Sequence, residues 1–358
     1  MSRAVLRGSI RPERPTLTTD RPAARLIHHR ILRHPIGTLT IDMKSPSLLS
    51  NLFNALLSPA LPARSLSITE SQLILLTLRH QKGEFETRQA GLVPLPAGLV
   101  NPGFDQPNIT DEARFLEQLR RVADQADVRK MGNLNVALPT GSARSLVIAL
   151  ETMPSSKSEI AQLTDWKIER ASGYPITELM VSRYRLADQN GSPHWLVGVV
   201  HQRVLAQYEN LFRQLGWRAG LISPQNLGAV AWLIRSEVPE DQILVSVTPR
   251  GFEVIFVRDC EPIMVREVEC PPEEVENEFY RLMVYYRDRL VPEGQSPNLA
   301  RILTIGTIVD QQRFRDLVSA ALERTVVSLN AGQLGLKLDP GMSLQQVAVA
   351  AGLSSMAW

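Results

Sequence analysis

Few side chains in this sequence have the types and the spacing that chemistry requires. His194 and His201 flank one predicted strand seven residues apart, so they point to opposite faces and cannot share a metal ion. Gly141-Ser142 follows another predicted strand, as a nucleophile turn would, but the pattern places no base beside it. We interpret that turn as a crossing between domains. The acidic residues within 273–276 lie at the start of a predicted helix. There their negative charges interact favourably with the helix dipole, so we do not interpret them as a catalytic carboxylate pair.

Other motifs of catalysis and of metal binding are also missing from the sequence. It has no Gly-x-Ser-x-Gly elbow, no Gly-Lys-Ser/Thr phosphate loop and no Cys/His cluster with ligand spacing. Cys260 and Cys270 are too few for a disulfide framework or a four-thiolate zinc site, and we expect thiols in a reducing cytoplasm. The chain has 358 residues, 44% of them hydrophobic, which suits a globular protein of about two domains.

The positive charge of the chain is concentrated at one end. Residues 1–42 hold eight arginines and three acidic residues, a net charge of +5, whereas the rest of the chain has a net charge of −3. We therefore expect no nucleic-acid-binding body. Residues 1–42 are predicted to be a disordered basic tail. A lipid-touching tail, a nucleic-acid arm and a targeting peptide all stay open, and so does the interpretation we favour, translation from Met43.

Residues 43–63 are predicted to form a short amphipathic helix and a linker. Six apolar residues fall on one helical stripe: Leu48, Leu49, Leu52, Phe53, Leu56 and Leu57. This helix either docks on a membrane surface or a partner, or packs on the body. It is too short to cross a bilayer, and no other segment approaches ~18 uninterrupted apolar residues.

The elements that must position any site are arranged twice along the body. Three short strands in a meander, then alternating helices and strands, occur from residue 64 and again from residue 242. This pattern predicts an α/β fold of two halves around a cleft. The boundaries are 64–140 and 191–235 for the first half, 141–190 for an inserted subdomain, and 236–353 for the second half.

Several stretches, in this order and spacing, resemble the PilM-like type IV pilus assembly proteins, an FtsA-related branch of the actin-like ATPase superfamily. They are Asn135–Pro139, Trp166–Glu169, Gly173–Ile176, Trp195–His201 and Val347–Leu353. The resemblance implies a duplicated actin-like (ribonuclease H-like) fold, with βββαβαβα-type halves and a reduced insert in the second half.

The nucleotide motifs of that superfamily are degraded here. Its two phosphate loops read Asp-Ile-Gly and then small hydroxyl residues, with the aspartate organising Mg²⁺. At the corresponding positions this chain has Ser67, Thr69 and Ser71 in the first loop, Ser246, Thr248 and Arg250 in the second, and Gly306 and Thr307 in the adenosine-side loop. Glu70 would repel phosphate, and Pro249 removes a backbone donor. For Arg250 a solvated turn arginine is favoured over a phosphate contact. We expect a pseudo-ATPase without a cofactor, although ATP and Mg²⁺ are the superfamily's ligands.

The resemblance also implies a partner, the cytoplasmic peptide of a PilN-like inner-membrane protein, which would hold this chain at the inner face of that membrane. The peptide would dock between the first half and the inserted subdomain. Candidate contacts are Leu138, Pro139, Ile168, Tyr174 and Pro175, each of which alternatively packs the two together. A homo-oligomer is compatible with this function. The alternative function is an active actin-fold ATPase or sugar kinase.

Overall fold

The computed structural model describes residues 61–151, 156–189, 192–292, 294–306 and 310–358. The predictions made for residues 1–60, the basic tail and the apolar stripe, lie outside the described residues. Three sheets carry the fold. Their strands are β1 (Arg64–Ile68), β2 (Gln72–Gln81), β3 (Glu84–Pro94), β4 (Asn133–Leu138), β5 (Ala143–Ala149), β6 (Leu179–Gln189), β7 (Ser192–His201), β8 (Arg218–Pro224), β9 (Asp241–Thr248), β10 (Gly251–Arg258), β11 (Glu261–Glu269), β12 (Leu299–Ile305), β13 (Val327–Ser328) and β14 (Leu336–Lys337).

The described ranges contain seven helices, and five of them begin at a side chain that accepts a backbone N–H of the first turn. The helices are α1 (Glu112–Gln125), α2 (Lys157–Ser172), α3 (Gln202–Gln214), α4 (Gln225–Arg235), α5 (Val275–Tyr285), α6 (Gln311–Leu322) and α7 (Leu344–Ser355). Asp111 accepts from the Arg114 N–H at the start of α1, and Ser343 forms a capping box with Gln346 at the start of α7. None of the helices in the described ranges is long and apolar enough to cross a membrane.

The predicted duplication is confirmed by the strand order. The first sheet runs β14-β3-β2-β1-β4-β8 and the second runs β11-β10-β9-β12-β13. In each sheet an antiparallel meander is followed by two parallel strands. The chain is therefore an α/β protein of two similarly built halves, as the sequence pattern predicted. The first sheet gains one edge strand, β14, which the sequence did not predict.

The inserted subdomain is a three-stranded sheet covered by α2. Its strands are ordered β5-β7-β6, so β7 is the central strand and pairs with both others. The boundary drawn at residue 190 assigned β7 to the first half. The sheet instead extends the subdomain to His201, because the hydrogen bonds of β7 are made within it.

The two halves are joined by the crossing of α4 and α7. α7 contacts β1 and β2 of the first sheet and β12 of the second. At the crossing a Cβ built on Gly352 would lie 1.9 Å from the Gly228 carbonyl oxygen, so the backbones are in direct contact. The Trp232 indole donates to the Ala348 carbonyl at 2.9 Å. This contact closes the base of the cleft between the halves.

Candidate functional site

The cleft between the halves contains a cavity of about 290 Å³. Two β-turns face each other across it: the β1–β2 turn at residues 69–71 and the β9–β10 turn at residues 248–250. Seven of the eight residues predicted from the nucleotide motifs line the cavity: Ser67, Thr69, Ser71, Ser246, Thr248, Arg250 and Gly306. Thr307, the eighth, lies outside the described residues. The positions counted along the two meanders therefore lie around one cavity.

The first turn is closed by its own threonine. The Thr69 hydroxyl accepts from the backbone N–H of Ser71 at 3.3 Å and of Gln72 at 3.0 Å, and it donates to the Gln72 carbonyl at 3.1 Å. Where the superfamily has glycine, backbone amides are free to approach phosphate. Here the hydroxyl occupies two such amides, so the turn does not present them to a ligand.

The second turn repeats this arrangement. The Thr248 hydroxyl accepts from the Arg250 N–H at 3.3 Å and donates to the Gly251 carbonyl at 3.4 Å. Pro249, between them, has no N–H to offer. A threonine hydroxyl thus accepts from two backbone amides in the first turn and from one in the second.

An ion pair bridges the two turns. The Arg250 guanidinium lies 3.3 Å from a Glu70 carboxylate oxygen and donates to the Pro102 carbonyl at 3.4 Å. Glu70 was expected to repel phosphate and Arg250 to be a solvated turn residue; instead each neutralises the other. Both side chains are about half exposed, so the pair contributes at most about 1 kcal/mol to stability. It lies between the turns that would hold phosphate.

The two aspartate positions of the superfamily carry buried serines. Ser67 donates to the Gln225 side-chain carbonyl at 3.1 Å, and Gln225 donates to the Ile68 carbonyl at 2.6 Å. Ser246 is the cross-strand neighbour of Glu253 on β10. Neither serine offers the carboxylate that Mg²⁺ requires at these positions.

The cleft also contains the carboxyl group of Glu253, which was not predicted from the sequence. Glu253 is 6% exposed, and the Asn226 amide donates to it at 3.5 Å. Burial, and then the negative charge of its cross-strand neighbour Glu267, raise the pKa of Glu253 to about 8. At neutral pH this group is mostly a neutral acid. An acidic residue among the apolar residues 252–257 of β10 was the signal in the sequence that could have identified Glu253.

The predicted adenosine-side loop begins at Gly306, directly after β12. Gly306 has a φ of +124°, which favours glycine, and its N–H donates to the Gln345 carbonyl of α7 at 3.4 Å. Between β11 and β12 the described chain contains a short 3-10 turn, α5, one further helical turn and a loop. The reduction of the second insert stays a prediction.

The five predicted partner contacts do not form one surface. Leu138 and Ile168 are fully buried, in the core of the first half and in the core under α2 respectively, and Pro139 is buried too. The prediction that these three residues contact a partner in an open groove is wrong. An apolar residue at a strand end or on a helix face looks the same in the sequence whether it lines a groove or belongs to the core. Tyr174 is half-buried and Pro175 is exposed, so both remain accessible.

Tyr174 belongs to an aromatic cluster at the junction of the first half and the inserted subdomain. Its ring centroid lies 5.3 Å from that of Phe104 and 5.5 Å from that of His201. The Arg144 guanidinium lies 4.3 Å over the Phe104 ring. A hydrogen bond with Asp105 raises the pKa of the Tyr174 hydroxyl. Phe104 and Arg144 also line the cleft, and neither was predicted from the sequence.

The remaining candidates for chemistry have structural roles. The Ser142 hydroxyl is fully buried and donates to Asn108, which also accepts from Tyr208 at 3.3 Å. The His201 imidazole lies 3.2 Å from a Glu178 carboxylate oxygen. Within the described part of the chain no group of three histidine, cysteine or acidic residues is placed to hold a metal ion.

Comparisons with known proteins agree with this architecture. No family profile and no curated protein matches the sequence. Among solved structures, a chain of a PilM–PilN type IV pilus biogenesis complex superposes with a TM-score of 0.66 at 17% identity, over 84% of this chain and 99% of that one. This chain has the fold of that protein. The resemblance to PilM-like proteins, which the sequence motifs indicated, is confirmed at the level of the fold.

Two further structures align less closely. A Bacteroides thetaiotaomicron protein with an actin-like ATPase fold covers 81% of this chain and 95% of its own at 13% identity, with a TM-score of 0.44. The cytoplasmic domain of EpsL, an inner-membrane component of the type II secretion system of Vibrio cholerae, covers 82% and 93% at 12% identity, with a TM-score of 0.43. At these scores neither similarity adds a conclusion about function.

Proposed function

We propose that this chain is a cytoplasmic scaffold of a type IV pilus-type complex at the inner membrane, and that it binds the cytoplasmic peptide of a PilN-like membrane protein. The observation that carries the proposal is the alignment with 99% of a chain from a PilM–PilN complex. A scaffold needs a folded surface and no turnover, and the fold is retained here while the phosphate turns are altered.

We further propose that the chain does not hydrolyse ATP. Three independent features of the cleft support this. A threonine hydroxyl accepts from backbone amides in each turn, serine stands at both metal-carboxylate positions, and the Glu70–Arg250 pair bridges the turns. Each feature alone would weaken a phosphate site, and together they leave it without the donors and the charge that catalysis of phosphoryl transfer uses.

The peptide is proposed to bind at the mouth of the cleft, beside the inserted subdomain. There Tyr174 packs on Phe104, Pro175 is exposed, and Arg144 offers a positive charge held in place by its bond to the Ser172 carbonyl at 3.0 Å. An aromatic side chain anchored on a buried ring, next to a fixed cation, is the kind of contact that dominates peptide affinity.

Calorimetric titration with the cytoplasmic peptide of a PilN-like membrane protein from the same organism tests the proposal. We expect saturable binding that Tyr174→Ala weakens by about 30-fold or more, the size of a hot-spot loss of about 2 kcal/mol. Tyr280→Ala is the matched control, since Tyr280 is a 40% exposed tyrosine on α5 in the other half. The proposal is abandoned if no such peptide binds, or if the two variants weaken binding equally.

A further inference from the structure

One row of polar side chains in the cleft is left without full bonding on the protein. Ser246, Glu253 and Glu267 are register partners on β9, β10 and β11, so they lie side by side on one face of the second sheet; we call them the cleft row. All three line the cavity between the halves. The Ser246 hydroxyl is 6% exposed and makes no hydrogen bond to the part of the chain that the structure describes. A buried hydroxyl without a partner is unfavourable, and this one faces space that a ligand can fill.

Glu253, in the middle of the cleft row, is incompletely bonded as well. Its carboxyl group is buried, and its one hydrogen bond with the described residues is the long one from the Asn226 amide at 3.5 Å. Burial and the neighbouring Glu267 raise the pKa of Glu253 to about 8, so the group is mostly neutral at pH 7. As an acid it has an O–H to donate, and as a carboxylate it has a charge to pair. Either form leaves part of its bonding capacity unused.

The acidic residues of this wall are not neutralised by the protein. Glu269 lies two residues beyond Glu267 on β11, so its side chain is on the same face, and it also lines the cavity. Within the described ranges Glu253, Glu267 and Glu269 make no ion pair. Two acids directly opposite each other on neighbouring strands repel when both are charged, and a bound cation would relieve that repulsion.

The cations that line the cavity are engaged elsewhere. The Arg250 guanidinium pairs with Glu70, and the Arg144 guanidinium lies 4.3 Å over the Phe104 ring. Among the described residues that line the cavity there is no lysine and no histidine. A cation that enters the cleft therefore meets carboxyl groups for which no described side chain competes.

We propose that the cleft binds a small organic cation, a linear diamine, whose ammonium groups pair with the three carboxyl groups and donate to the Ser246 hydroxyl. A cavity of about 290 Å³ between two domains is close to the lower end of the range for small-molecule sites. Glu267 and Glu269 are separated by the rise of two strand residues, roughly 7 Å, which two ammonium groups on a short chain can match. A metal ion is a poorer fit, because no group of three acidic, histidine or cysteine residues in the described ranges is placed to hold one.

Binding of the diamine should expel the proton from Glu253. The groups that face this carboxyl are Ser246 on β9, Glu267 on β11 and Asn226 on α4, and none of them is a cation. An adjacent ammonium group favours the carboxylate, so the proton leaves to solvent as the ion pair forms. At pH 7 this releases close to one proton for each diamine bound.

Calorimetric titration of the full chain with putrescine, in two buffers of different ionisation enthalpy, tests this inference. No protein partner is present, so the outcome is independent of the proposed scaffold function. We expect saturable binding that releases close to one proton at pH 7, and no binding of butanediol, the neutral molecule of the same chain length. Glu253→Gln should abolish the proton release and weaken putrescine binding about 10-fold or more. Glu267→Gln, a change at an exposed position, should weaken binding as well.

The matched control removes a carboxylate outside the cavity. Glu273 is exposed just after β11 and does not line the cleft, so Glu273→Gln should bind putrescine as the wild type does. The inference is overturned if putrescine does not bind, if butanediol binds equally well, or if both cleft variants bind putrescine as tightly as the control does.

Discussion

Glu253 gives the sharpest test of the chemistry inside the cleft. Its pKa of about 8 in the folded protein compares with an ordinary value of 4.5, so between these pH values the folded state holds a proton that the unfolded state has lost. Stability then falls as the pH rises, by about 1.4 kcal/mol per unit. Glu253→Gln keeps an oxygen to accept from Asn226 and removes the titration, so its advantage over the wild type should grow by about 3 kcal/mol from pH 5.5 to 7.5.

Thermal unfolding at several pH values measures this difference. In a protein of this size about 3 kcal/mol corresponds to roughly 3–6 °C in Tm. Glu269→Gln is the control, because Glu269 is exposed on the same sheet and lines the same cleft. A variant whose advantage is the same at pH 5.5 and 7.5 would refute the reasoning, since it would mean that Glu253 is ionised in the folded protein and available to a metal ion.

Two further substitutions test the scaffold that shapes the cleft. Gly352→Ala places a methyl group 1.9 Å from the Gly228 carbonyl oxygen and should cost about 2–3 kcal/mol in chemical denaturation, because α4 and α7 must separate. Asp241→Asn should also cost about 2–3 kcal/mol, since the buried carboxylate accepts from Arg258 at 2.6 and 2.8 Å and from the Tyr286 hydroxyl at 2.6 Å.

Each of these has a control with similar chemistry. The neighbour nearest to a methyl group on Gly103 would be 3.7 Å away, so Gly103→Ala should change stability by less than about 0.5 kcal/mol. Glu276→Gln breaks an exposed pair with Arg313 and should cost less than about 1 kcal/mol. If a substitution and its control lowered the free energy of unfolding equally, the buried contacts would not stabilise the protein more than the exposed ones.

Most of the fold followed from periodicity. Both meanders and all seven described helices were predicted within a few residues, because their apolar residues repeat at the period of the element and their ends carry capping or turn residues. β14 was missed because two residues cannot show a period, and its partner Phe85 is far away in the sequence. The subdomain boundary was misplaced because the apolar run of β7 suits a central strand of either sheet.

The sequence predicted where the two turns lie, but not the contacts that their side chains make. Counting residues along the two similar meanders predicted where both turns lie. The sequence also showed that neither turn has the aspartate and glycine of the superfamily's phosphate loops. It did not show that Thr69 and Thr248 occupy the turn amides, or that Glu70 and Arg250 meet, since these contacts depend on how the halves face each other. Leu138 and Ile168 were misassigned because hydrophobicity alone does not separate a core from a groove.

Calorimetric titration of the full chain with ATP and Mg²⁺ tests the central claim most directly, that this actin-like fold no longer works as a nucleotide site. We predict no saturable heat up to about 1 mM ATP, a concentration that would stabilise a site of 1 μM affinity by about 4.1 kcal/mol. Saturable, magnesium-dependent binding that is lost on substitution of residues in the two turns would contradict the claim and restore the ATPase alternative.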